Sequence, residues 1–143
     1  MALRLLVAWT VVGFCVAIHA IGVTLAVRWL SRRPARPMRF RAETQLLVLL
    51  AGWIILLHLV EIAAWAFLYN WRGAMPGLQA AVYFSAVTYT TTGYGDLVLP
   101  EAWRLVGAIE ALTGILMCGW STGFFFAVVS RRFAADAGEG VKP

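Results

Sequence analysis

The sequence predicts an all-α membrane protein with three transmembrane helices plus one shorter helix that enters the bilayer and turns back. Three observations carry this. The chain of 143 residues is 62% hydrophobic and only 13% charged, far from an average soluble domain. Three apolar runs are each long enough to span a bilayer, which takes roughly 20 helical residues. A fourth run, residues 76–90, is too short to cross and leads directly into a glycine-containing loop.

The first span runs from Leu5 to Val27 without a charge. It exceeds the apolar core of a signal peptide, about 7 to 15 residues, and only Arg4 precedes it, so it reads as an N-terminal transmembrane helix (residues 1–30). Residues 31–44 form a basic linker, followed by an outer helix over 45–70. Pro76 suits the first turn of the short helix, since proline lacks only an amide hydrogen that is unused there. The short helix and loop occupy 76–96, an inner helix 100–130, and a tail 132–143. Cys15 and Cys118 each lie inside an apolar run, so a disulfide framework is not indicated.

The net charge of +5 is concentrated next to the spans, and its basic residues are not interleaved with exposed aromatics, which argues against a nucleic-acid partner. Arg28, Arg32, Arg33, Arg36, Arg39 and Arg41 fill the first loop, and Arg131, Arg132 and Lys142 follow the last span. By the bias of Lys and Arg toward the cytoplasm, both regions face inward, and the N-terminus and the short helix face outward. Arg32, Arg33, Arg36, Arg39 and Arg41 are also placed to hold anionic lipid headgroups.

Thr90-Thr91-Thr92-Gly93-Tyr94-Gly95-Asp96 lies between two spans. A ring of backbone carbonyls at membrane depth replaces the water shell of a permeating ion, and for successive carbonyls to point one way alternate residues take left-handed angles. Gly93 and Gly95 adopt these at little steric cost. Thr91 to Asp96 resembles the Thr-Val-Gly-Tyr-Gly-Asp signature of the tetrameric potassium channel family. The resemblance covers residues 46–131 in arrangement and is most specific at this loop. It implies a homotetramer whose K+ sites are formed by the carbonyls of Thr91, Thr92, Gly93 and Tyr94 with the Thr91 hydroxyl, Gly95 completing the filter and Asp96 at the outer mouth. No cofactor is implied beyond the permeating ion, and no enzyme activity.

Two positions depart from that pattern. Thr92 stands where the family has Val or Ile, adding a hydroxyl behind the filter. Val87 stands where some relatives carry Glu, so Asp96 needs another partner, for which the Tyr83 hydroxyl is a candidate. Tyr83 and Phe84 match positions that brace the filter. The last span resembles the inner helix of inward rectifiers: Gly114 matches the hinge, Cys118 the cavity position, where a neutral residue implies weak rectification, and Phe126 the gate. A glycine inside a helix costs roughly 1 kcal/mol relative to alanine, and bending or close packing are the two reasons to retain it.

Glu61 and Glu110 lie roughly 12 to 14 Å from the outer helix ends and share a depth. Carboxylates at that level face protein or water, so the sequence predicts a polar network behind the filter that His58, three residues from Glu61, joins with Ser85, Thr88 or Tyr89. The His58-Glu61 pair alone offers too few ligands for the metal of a membrane enzyme. A non-selective cation pore and a non-conducting auxiliary subunit are the competing functions. The chain shows no arginine ladder of a voltage sensor, and the eleven residues after Arg132 are too few for a ligand-binding domain. Its size suits a bacterial inner membrane. The role of the first helix is open between a membrane anchor and a packing element at the tetramer rim.

Overall fold

The computed structural model describes residues 1–32 and 40–139, with side chains as far as residue 132. It contains four α-helices: α1 Ala2–Ser31, α2 Phe40–Trp71, α3 Leu78–Tyr89 and α4 Arg104–Glu139, the last entered through a 3-10 turn at Glu101–Trp103. No strand occurs among the described residues. Three helical stretches, Ala2–Ser31, Phe40–Trp71 and Glu101–Arg132, are long and apolar enough to cross a membrane. The spans run past their apolar cores because nothing in their flanks breaks a helix. Phe40 to Thr44, expected in the linker, begin α2, and the first residues of the expected tail continue α4.

α3 packs between α2 and α4, and α1 lies against both α2 and α4. The short helix starts later than the proline suggested. Gly77, left-handed at φ 96, is its cap and Leu78 its first residue, so Pro76 stands just before the helix and not within its first turn. One apolar cluster, including Trp65, Tyr69, Phe84, Trp103 and Met117, surrounds α3. A second, built from Ala26, Leu46, Leu50, Ile54, Phe124 and Val128, joins α1, α2 and α4 at the opposite end.

α1 is seated on α2 at Gly22. A Cβ there would stand 2.5 Å from the Leu57 methyls, and the Trp53 indole donates to the Gly22 carbonyl at 3.0 Å. Its amino end meets the start of α4: Arg4 donates to the Ala102 carbonyl at 3.1 Å and lies 5.3 Å from the centre of the Trp103 ring. Arg72 lies over Trp71 and Trp103. Tryptophans with cations above them are the residues that settle at a membrane–water interface. Arg28, Arg32, Arg41, Arg131 and Arg132 follow, by helix direction, at the opposite end. Arg33, Arg36, Arg39 and Lys142 lie outside the described residues.

Candidate functional site

The loop after α3 is held at its start and open at its tip. The last carbonyls of α3 are capped by the loop itself: Thr91 N–H donates to Thr88 O at 2.9 Å and Gly93 N–H to Val87 O at 3.0 Å. Three positions in alternation, Thr91 (φ 59), Gly93 (φ 54) and Gly95 (φ 78), take left-handed backbone angles. The two glycines follow from sequence. Thr91 does not, because a β-branched residue in this region is strained and persists only where its surroundings hold it. A Cβ on Gly93 or Gly95 would meet nothing within 4 Å, so these glycines serve conformation and not close contact within the chain. The hydroxyl of Thr92 lies 2.9 Å from that of Thr90, which in turn donates to the Ala86 carbonyl at 2.7 Å. Thr90 to Asp96 are all exposed, Tyr94 to 72%.

Asp96 finds the partner expected for it: Tyr83 donates to its carboxylate at 2.7 Å. This bond holds the Asp96 carboxyl below, and the Tyr83 hydroxyl above, their ordinary ranges. Phe84 turns the other way, into the core, edge-on to Tyr69 with ring centres 5.4 Å apart.

Behind the loop the structure corrects one expectation. The polar residues do not form one network but two, reached from α3 through Ser85 and Tyr89, one helical turn apart. In the first, Glu110 of α4 accepts from Tyr69 of α2 at 2.7 Å and from Ser85 of α3 at 2.5 Å, and Ser85 also lies 2.9 Å from the Ile62 carbonyl. In the second, Glu61 of α2 accepts from Tyr89 of α3 and is 2.9 Å from Nδ1 of His19 in α1. His58 Nδ1 is 3.2 Å from the Tyr89 hydroxyl and 3.4 Å from Glu61 Oε2. Both histidines present Nε2 to the hydroxyl of Ser121 in α4, each at 3.1 Å. Glu61, Glu110, His19 and Ser85 have no exposed surface. Thr88, offered as a member of the cluster, is not among these partners, whereas His19 and Ser121 were missed. The signal for His19 was its presence, as the one histidine, in an uncharged apolar span; its partner 42 residues away has no local signature.

On α4, Gly114 meets the carboxyl end of α3: a Cβ there would fall on the backbone carbonyl of Tyr89. Close packing thus accounts for the glycine, and α4 runs as one helix through it. Cys118 and Phe126 are exposed, Phe126 to 73%, and at i and i+8 they lie on one strip of α4 turned away from the chain's own core, while Phe124 is buried.

A family model described as ion channel matches residues 47–131, more than half of the chain. The chain belongs to this ion channel family and is an integral membrane protein. The matched region holds α2, α3, the loop and most of α4; α1 precedes it. No curated protein and no solved structure matches the chain at a significant level.

Proposed function

We propose that this chain is the subunit of a potassium-selective channel, in which four copies bring their Thr91–Gly95 loops together around one axis. The observation that carries the reading is the alternation of left-handed residues at Thr91, Gly93 and Gly95 in a loop that follows a short helix between two spanning helices. Alternation turns successive carbonyls to one side of the strand, as dehydration of a potassium ion requires, and one strand makes a ring only when copies surround an axis. The exposure of the loop and of the Cys118–Phe126 strip in the single chain fits surfaces that meet other copies or the ion path. α3 is then the re-entrant pore helix. Its carboxyl end, carrying the negative pole of the helix dipole, lies beside the ion path and favours a cation there.

In this reading Asp96 lies at the outer mouth, Cys118 in the cavity and Phe126 at the inner gate, and Gly114 fixes the inner helix against the pore helix. In the same reading the other end, flanked by Arg28, Arg32, Arg131 and Arg132, is cytoplasmic, which the inward bias of Lys and Arg supports. The Thr90–Thr92 contact gives the additional hydroxyl of Thr92 a partner behind the strand, so the departure from Val or Ile is compatible with a K+ filter.

The test is the reversal potential of the purified protein in planar bilayers with potassium on one side and sodium on the other. A value near the potassium equilibrium potential, with block by barium, is expected. A value near zero with measurable current makes the pore a non-selective cation channel, and absence of current in both salts makes the chain an auxiliary subunit.

A further inference from the structure

Glu61, His19, Ser121, His58 and Tyr89 close a ring in which each group touches the next, and the ring draws on all four helices. Each of its five contacts requires one hydrogen. With Glu61 ionised and both imidazoles neutral, the ring carries four: one on each imidazole, one on Ser121 and one on Tyr89. One contact therefore sets lone pair against lone pair, and the carboxylate, fully buried, has no Lys or Arg against it among the described residues. A buried charge without a partner is costly, so an ionised Glu61 calls for one positive charge in the cluster, a proton or a metal ion.

We propose that His19, His58 and Glu61 form a binding site for a divalent cation of the zinc class inside the membrane. Two imidazoles and a carboxylate are a recognised zinc ligand set that leaves a fourth coordination position open. Their ligand atoms lie within 4.8 Å of one another, Nδ1 of His19 and of His58 standing 2.9 and 3.4 Å from the two Glu61 oxygens. In a tetrahedral site with bonds of the usual length such atoms are about 3.3 Å apart. The outer contacts also match. When both rings carry their hydrogen on Nε2, Ser121 accepts from both, and the two Nδ1 lone pairs face the carboxylate with no hydrogen between them. Tyr89 keeps its bond to the second Glu61 oxygen. Three of the ring's four hydrogens, those on the two Nε2 atoms and on Tyr89, then form bonds outside the metal position, and no proton has to leave. The way in is the edge of His58, whose side chain is 17% exposed.

The objection to a metal read from His58 and Glu61 alone was the lack of a third ligand. α1 supplies it. The site ties the helix outside the family match to Tyr89, one residue before Thr90 at the start of the loop, and so gives the channel a ligand-dependent link between α1 and its ion path.

The full chain, purified in lipid nanodiscs, is titrated with Zn2+ by calorimetry and with Co2+ by visible absorption. One ion per chain is expected, with the intense absorption of a four-coordinate cobalt site. His19→Gln and Glu61→Gln should each abolish binding, and Ser121→Ala should weaken it about 10- to 100-fold, as loss of an orienting partner does. Helicity and assembly size, measured on each variant, separate loss of ligand from loss of fold. Failure of the wild-type chain to bind either ion overturns the proposal, as does binding that persists unchanged in a folded His19→Gln. Because ion binding is read without current, that failure is distinct from failure of the potassium reading.

Discussion

Glu110 and Glu61 are both fully buried carboxyl groups on spanning helices, both bonded to a residue of α3, yet their surroundings differ in kind. Glu110 is met only by hydroxyls, Tyr69 and Ser85, and all three residues lie within the stretch that matches the ion channel family. Glu61 is met by a phenol and two imidazoles, one of them on α1, outside that stretch. The first cluster braces α3 against its two neighbours through two hydroxyl donors to one carboxyl. The second holds α3 through groups that take up cations. A brace belonging to the channel unit thus stands at one turn of α3, at Ser85, and at the next, at Tyr89, a connection through which a fourth helix reaches the same element.

The severest test of this arrangement lies between the two clusters. Gly114→Ala drives a Cβ into the Tyr89 backbone, which cannot move aside as a side chain does, and it should cost at least about 3 kcal/mol, read as a lowered unfolding temperature and loss of assembly in detergent. Gly22→Ala, which meets only the flexible end of Leu57 and gains roughly 1 kcal/mol of helix propensity, should be near neutral by the same measurement. Equal losses at both positions would show that α1 is packed as rigidly as α3 and would erase the contrast.

Next in size is Tyr69→Phe. It removes one of two hydroxyl donors from a fully buried carboxyl and should destabilise by about 1–3 kcal/mol, while Zn2+ affinity stays unchanged. A parallel loss of metal affinity would mean that the two clusters act as one.

Glu61→Gln should change stability by less than about 1 kcal/mol despite complete burial. The amide brings two hydrogens, so it donates to His19, accepts from Tyr89 and completes the ring without a charge. Chemical denaturation of the variant checks this, and a large loss would show that the carboxylate is already neutralised within the folded chain.

The smallest effect is expected outside both clusters. The Tyr83 hydroxyl lowers the Asp96 carboxyl, so Tyr83→Phe returns it upward toward its ordinary range. A depressed carboxyl contributes stability above its unfolded value that is lost as pH falls through the folded one; removing the bond moves that loss, and protonation of Asp96, to higher pH. The pH dependence of current, titrated from the loop side, should shift accordingly in Tyr83→Phe and not in Tyr69→Phe.

Much of this molecule is legible in its sequence because membrane spans are specified locally. A helix satisfies its own backbone, so run length and apolar composition are enough to place α1, α2 and α4, and the short run before the glycines is enough to place α3. The loop is equally local: Gly93 and Gly95 announce left-handed angles because only the backbone is at issue. The Asp96–Tyr83 pair, thirteen residues apart, was within reach of the same reasoning. Helix ends were read less well, since α2 and α4 extend into flanks that carry no breaker and Gly77 takes the cap that Pro76 suggested.

What only the tertiary structure decided is which buried polar groups meet. Depth and helix face were available for Glu61 and Glu110, but periodicity does not say which helix lies opposite, and the two met different residues of α3, Tyr89 and Ser85. His19 meets Glu61 across 42 residues and Ser121 across 102. Thr91 in a left-handed conformation and Gly114 against the Tyr89 carbonyl likewise express contacts made by distant backbone. The sequence by itself determined the elements and the chemistry each one carries. The packing of α1 against α2 and α4 determined that three of those chemistries share one place.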